Sequence, residues 1–252
     1  MKKVLVASAL ALCLSSLAHA DFVGITLGAS AWNQDYEGSV QSGSDSLDLQ
    51  RTLGLDNETN NVFYASFEHP IPLIPNIALG RTELDISSSK TIDEGFDFAG
   101  VPFPADSNIT TQTDFSHTDL TLYYELLDNW IALDVGIALR QFDEGVELSY
   151  RPIADGPRIS ANEDFDDTIP LLYAAAKFDL PLTGLYLGGD IKGINYDGDS
   201  IIDYKINIGY ETSLGFGLEA GIRSLELDVS NGRNENADVT IDGSYASIYY
   251  HF

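Results

Sequence analysis

The chain has 252 residues, with 39 acidic against 13 basic side chains and a net charge of −26. A surface this acidic makes nucleic acid a poor partner, because such binding rests on neutralising phosphates with Lys and Arg. A single cysteine excludes a disulfide framework, so stability has to come from backbone hydrogen bonding and burial.

Residues 1–20 read as a secretory signal peptide. Lys2 and Lys3 form the positive region, residues 4–17 the apolar region, and Ala18, His19 and Ala20 a small-x-small cleavage site ahead of Asp21. The apolar run is shorter than the ~20 residues of a spanning helix. Cys13 follows Leu12, where a lipoprotein signal has a small residue, so lipidation is rejected. Cleavage between Ala20 and Asp21 removes two lysines, takes the net charge from −26 to −28, and leaves residues 21–252 as one domain. Past residue 20 no stretch of about 18 apolar residues occurs, so no membrane helix is expected.

The remainder alternates with period two, the signature of strands whose two faces meet different surroundings. Residues 22–32 put Val23, Ile25, Leu27, Ala29 and Ala31 on one face, with Gly24, Thr26, Gly28 and Ser30 on the other. Residues 61–69 and 76–87 are weaker strands. Residues 117–126 set Leu120, Leu122, Tyr124 and Leu126 against Asp119, Thr121, Tyr123 and Glu125. The strongest segment, 130–142, sets Ile131, Leu133, Val135, Ile137 and Leu139 against small or charged residues that include Asp134 and Arg140. After a weak strand at 168–180, residues 185–193, 201–211 and 216–224 repeat the pattern, with Asp190, Lys192, Asp203, Lys205, Glu219 and Arg223 on the polar face. Residues 238–252 complete ten strands, ending in Ala246, Ile248, Tyr250 and Phe252 on the apolar face.

Connections alternate between short (70–75, 127–129, 181–184, 213–215) and long, with loops near 33–60, 88–116 and 145–167. Strand, long loop, strand, short turn is the pattern of an all-β, up-and-down antiparallel transmembrane barrel with extracellular loops and periplasmic turns. A bilayer forbids an unpaired strand edge, so the terminal strand should close on the first. An even count puts both termini on the periplasmic side. Eight or twelve strands stay open, because 61–69 and 76–87 are poorly patterned. Trp130, Tyr123, Tyr124, Phe178, Tyr186, Phe216, Tyr249, Tyr250 and Phe252 suit an interfacial girdle on the short-turn side, and Trp32 and Phe142 one on the long-loop side.

The ending "YASIYYHF" resembles the C-terminal recognition signal of Gram-negative outer-membrane barrels, matched at Ala246, Ile248, Tyr250 and Phe252. The chain as a whole resembles a family of small proteobacterial outer-membrane β-barrel proteins without an assigned activity. The signal, residues 53–72, residues 120–130 and the terminal strand carry that resemblance. It implies residence in the outer membrane, contact with its lipids, and handling by the barrel-assembly machinery and periplasmic chaperones. It implies no cofactor and no activity.

Three chemistries are candidates. Asp119, Glu125, Asp134, Arg140, Asp190, Lys192, Asp203, Lys205, Glu219 and Arg223, with Arg81, Glu83 and Lys177, are expected inside the barrel. There they form either a structural ion-pair network or the lining of a narrow pore. His117, with Ser116 and Asp119 nearby, is the one candidate base for an outer-leaflet hydrolase or acyltransferase, placed near the outer rim. Asp197, Asp199 and Asp203, and the run Glu163, Asp164, Asp166 and Asp167, offer oxygen ligands for a cation, against the reading of solvated acidic loops. The favoured reading has no catalytic residue and no metal: a non-enzymatic barrel, structural or acting in surface interaction through its loops.

Overall fold

The structure is a computed structural model that describes residues 23–143, 145–152, 157–164, 168–230 and 235–252. The cleavage pair Ala20 and Asp21 and the acidic residues Asp166 and Asp167 lie outside the described residues. Among those described, the strands in chain order are β1 (Gly24–Ser42), β2 (Ser46–Asp48), β3 (Glu58–Glu68), β4 (Asn76–Thr82), β5 (Asp85–Thr91), β6 (Phe96–Phe98), β7 (Val101–Phe103), β8 (Asn108–Asp114) and β9 (His117–Asp128). They continue with β10 (Ile131–Phe142), β11 (Gly145–Tyr150), β12 (Ile159–Asp164), β13 (Thr168–Asp179), β14 (Leu185–Tyr196), β15 (Asp199–Glu211), β16 (Phe216–Ser230) and β17 (Glu235–His251).

Ten of these form a closed antiparallel ring in the order β1, β3, β4, β9, β10, β13, β14, β15, β16, β17, and β17 pairs back onto β1. The closing ladder runs from Thr26 opposite His251 to Ser42 opposite Glu235, and the Phe252 amide donates to the Ile25 carbonyl at 2.9 Å. The expected barrel and its closing pair are therefore present, and the eight- and twelve-stranded alternatives fall away. Both described termini lie at the end of the short turns.

The outward face explains why the ring forms. Each strand presents a few apolar residues outward and then switches to polar. On β10, Leu133, Val135, Ile137 and Leu139 give way to Gln141, and Ile137 is 49% exposed. On β17 and the residue that follows it, Phe252, Tyr250, Ile248 and Ala246 give way to Ser244 and Asp242. A continuous exposed apolar belt of this kind is stable only against lipid. At the short-turn edge outward aromatics pack pairwise: Trp130 on Phe178 (5.3 Å), Phe216 on Tyr250 (4.6 Å) and Tyr250 on Phe252 (4.5 Å). Tyr123, Tyr186 and Tyr249 turn inward and leave this girdle. At the other edge a polar collar closes the belt. Asn33 donates to Thr59 (3.0 Å), Asn61 to Glu83 (3.1 Å), and Arg81 holds Asp143 through both guanidinium nitrogens (2.9 and 2.5 Å).

Arg81 and Glu83 thus face outward, contrary to the interior placement expected for them. Outward apolar Ile77 and Leu79 set the phase of β4, and Arg81 falls just past the belt, where an outward charge is solvated. Trp32 and Phe142 also depart from the expected girdle: they are buried at 0% and 5% exposure and point inward.

Beyond the collar the strands continue, and the apolar phase reverses. On β17, Ala237, Val239 and Ile241 are buried inward while Asp238 and Asp242 face out. On β16, Leu225 and Leu227 are buried and Glu226 and Asp228 exposed; on β1, Tyr36 and Val40 are buried and Asp35 and Glu37 exposed. Outside the bilayer water replaces lipid, so the apolar face must turn to the interior. The segment 33–60 is therefore not all loop: β1 runs on to Ser42.

The two longest connections fold as well. They supply the sheet β5-β8-β11-β12 and the hairpin β6-β7, and β2 lies beside β1. Leu84, Ile86, Phe98, Phe103, Ile109, Phe115, Leu148 and Tyr150 from this head join Trp32, Tyr36, Leu225, Val239, Ile241 and Tyr245 from the barrel in one buried apolar cluster. The Asp48 carboxylate caps the turn after β2, accepting from the Gln50 and Arg51 amides, and the Arg51 side chain holds it below the usual carboxylate range. Lys90 on β5 reaches across to the Gln50 and Arg51 carbonyls and ties that turn to the head.

Candidate functional site

The ten interior charges named from the sequence all lie on inward-facing positions, in layers down the lumen. The layer nearest the collar is built on Arg140, whose side chain is 0% exposed. Its Nε and Nη2 donate to the two Asp119 oxygens (2.7 and 2.8 Å), and Nη2 also donates to Asp203 Oδ2 (2.6 Å). Arg223 grips Asp203 from the other side through Nε and Nη2 (2.9 and 2.7 Å), and Lys192 donates to Asp119 Oδ2 (2.7 Å). The Arg223 guanidinium lies over the Trp32 ring, 4.6 Å from its centroid. Strand pairing explains the assembly, because Asp119 stands opposite Arg140, and Asp203 opposite both Lys192 and Leu225. A charge buried this deeply is tolerated only with such hydrogen-bonded partners.

His117 sits against this layer and is fully buried, not at an outer rim. Its Nδ1 donates to the Phe115 carbonyl (3.0 Å), and its ring packs on Phe142 at 5.3 Å. The head core covers it. Ser116 spends its hydroxyl on the Leu84 amide (2.9 Å). His117, Asp119 and Asp203 bring one ligand atom each within 4.8 Å of the others, the only such group among the described residues. Both carboxylates are already filled by Arg140, Arg223 and Lys192, which is the chemistry of an ion-pair network rather than of a metal centre. The cation loop 197–203 is also separated: Asp203 points into this layer, while Asp199 accepts from the Ser230 amide (2.8 Å).

Below the layer Lys205 pairs with Asp190 at 3.1 Å across a direct β14–β15 pair. Nearer the short turns, Glu219 accepts from Tyr186 (2.9 Å) and Asn207 (2.8 Å), and Glu211 from Tyr249 (2.9 Å). Lys177 lies 4.5 Å from the Tyr186 ring centroid and 3.3 Å from Asp179. Glu125 and Asp134, directly opposite each other on β9 and β10, face the same mouth with Glu68, which accepts from Tyr123 (2.6 Å). Between the Arg140 layer and this mouth lies a cavity of about 260 Å³.

Inward tyrosines stand opposite inward glycines. Tyr64 faces Gly28, Tyr186 faces Gly209, and Tyr249 faces Gly217 across their ladders. A β-carbon on any of the three glycines would come within about 2 Å of the ring atoms of its tyrosine (2.1, 2.1 and 2.0 Å). The period-two pattern shows that the inner face is rich in Gly and Tyr, but matching one to the other needs the strand register. The apolar seal above the Arg140 layer likewise escapes the sequence, because it is assembled from three separate connections.

No family model and no curated protein sequence matches the chain. Among solved structures it is similar to the outer-membrane protease OmpT of Escherichia coli, with 10% identity, TM-score 0.48, and 94% of this chain and 99% of that one covered. It is similar also to the translocator domain of the autotransporter NalP of Neisseria meningitidis, with 11% identity, TM-score 0.43, and coverage of 100% and 96%. Neisserial surface protein A is a third, with 9% identity, TM-score 0.36, and coverage of 90% and 97%. Likenesses at this level assign no role. The architecture rests on the strand pairing and the apolar belt: the chain is a closed ten-stranded transmembrane β-barrel of the outer-membrane type.

Proposed function

We propose that the chain is an integral outer-membrane protein with a non-enzymatic role, presenting a folded acidic head to the outside of the cell for surface interaction. Its termini and short turns face the periplasm, and assembly there involves the barrel-assembly machinery and periplasmic chaperones. The observation that carries this reading is the seal. The layer around the fully buried Arg140 and the apolar cluster above it fill the lumen where a pore would need an aqueous path. Burial of His117 under the same cluster argues against a base serving substrates in the outer leaflet. The head, in contrast, is a β-structure, and the strand extensions that carry it above the collar expose acidic pairs, with Asp35 opposite Asp242 and Asp228 opposite Asp238. Such a surface suits a cationic partner and repels other anionic surfaces.

Planar-bilayer recording tests this. The purified full-length barrel is expected to insert without unit conductance steps at neutral pH. Stable, reproducible steps would replace the sealed-barrel reading with that of a narrow diffusion pore.

A further inference from the structure

The cavity beneath the seal has two chemically opposite ends. At the upper end three cations, Arg140, Arg223 and Lys192, face two carboxylates, Asp119 and Asp203, which leaves one positive charge in surplus. Donors there are also in surplus. Trp32 Nε1 and the Tyr245 hydroxyl belong to cavity-lining residues only 0% and 7% exposed, and among the described residues neither has a hydrogen-bond partner. At the lower end the balance is inverted. Glu68 and Asp134 line the cavity and Glu125 stands directly opposite Asp134, yet none of the three forms a salt bridge among the described residues. Asp134 Oδ1 is a buried acceptor without a donor. Between the ends Lys205 and Asp190 neutralise each other, and the wall is aromatic, with Tyr64 and Tyr173.

Unsatisfied buried polar groups cost free energy, and a surplus charge costs more. A structure that keeps donors and a positive charge at one end of a cavity, and acceptors and negative charge at the other, is complementary to a molecule with the reverse polarity. We infer that the lumen cavity is a binding site for a small zwitterion. Its carboxylate or other oxyanion accepts from Trp32 Nε1 beside Arg223 and from the Tyr245 hydroxyl, and its ammonium group lies toward Asp134 and Glu68. The tyrosine walls take the apolar chain between them. The ligand enters from the short-turn mouth, since the opposite end is sealed. This inference concerns the lumen and does not depend on what the head binds.

The test is calorimetric titration of the detergent-solubilised full-length barrel with ω-amino acids from glycine to 6-aminohexanoate, and with hexanoate and hexylamine as single-charge controls. At least one ω-amino acid is expected to bind tenfold or more tightly than either control. Tyr245→Phe and Trp32→Phe, which delete one donor each and keep an aromatic ring, are each expected to weaken it by about tenfold. Asp134→Asn is expected to bring the zwitterion down to the affinity of hexanoate. Tyr245→Phe preserves the packing and so keeps the test valid should Trp32→Phe fail to fold. Binding of hexanoate as tight as that of the best zwitterion would overturn the assignment. So would the absence of heat with every probe, which would leave a solvent-filled lumen.

Discussion

Gly209 carries no side chain because the Tyr186 ring lies where one would go, 2.1 Å from an added β-carbon. Tyr186 is held in turn by its hydrogen bond to Glu219. Gly209→Ala must push the ring off that partner, so it is expected to destabilise by about 1–3 kcal/mol, the usual cost of overpacking. Gly80→Ala is the control, since the nearest atom to its added carbon is 3.9 Å away, in Asp119. Urea unfolding in detergent compares the two, and equal midpoints would dismiss the ring–glycine contact as a packing constraint. At this scale parity alone reads much of the lumen: the alternation along each strand marks Asp119, Asp134, Arg140, Asp203 and Arg223 as inward charges. What parity does not provide is the partner. That Arg140 bridges Asp119 and Asp203, and that Lys192 rather than Lys205 completes the layer, depends on register around four ladders. Trp32 escapes the girdle expected for it because its even position shares the inward phase of Gly28 and Ser30, and phase outweighs the preference of a strand-end aromatic for the membrane interface.

β17 carries both phases of the pattern in one strand. Residues 246–252 face apolar side chains to lipid, residues 237–241 face them inward, and Gly243, at φ 155° beside Asn33, marks the change between them. A single continuous alternation captures the membrane half and loses the rest, which is why the sequence pattern ends β1 at Trp32 and reads the head as loop. The faces are testable. Val135→Arg, outward in the middle of β10, is expected to cost about 2–4 kcal/mol in unfolding from bilayers. Asp35→Arg, outward above the collar, should stay within about 0.5 kcal/mol. Equal costs would mean that the belt has been drawn at the wrong height. The terminal residue adds a second test. Phe252 anchors the strand through its amide on Ile25 and its ring on Tyr250. Its deletion is expected to lower outer-membrane levels sharply in fractionated cells, whereas Ser247→Ala assembles nearly normally. Normal assembly without Phe252 would remove its role as a signal.

Head and barrel share one apolar cluster, so the molecule should unfold as one unit. Leu148, 0% exposed on β11 in the head, belongs to the cluster that includes Trp32, Leu225, Ile241 and Tyr245 of the barrel wall. The same cluster rests on the Arg140 layer, so the water-excluding head is also what keeps those buried charges in a low-dielectric setting where their pairing is strong. Leu148→Ala removes buried methyl groups and opens a cavity, at an expected cost of about 2–5 kcal/mol. Leu182→Ala, in the short turn after β13 and fully exposed, should cost almost nothing. If head and barrel are coupled, Leu148→Ala lowers the temperature at which the folded, fast-migrating gel band of the whole barrel is lost, and surface proteolysis of the head and that band shift change together. An unchanged barrel transition with a protease-sensitive head would instead make the head an independent module, and the seal over the lumen would then open without the barrel.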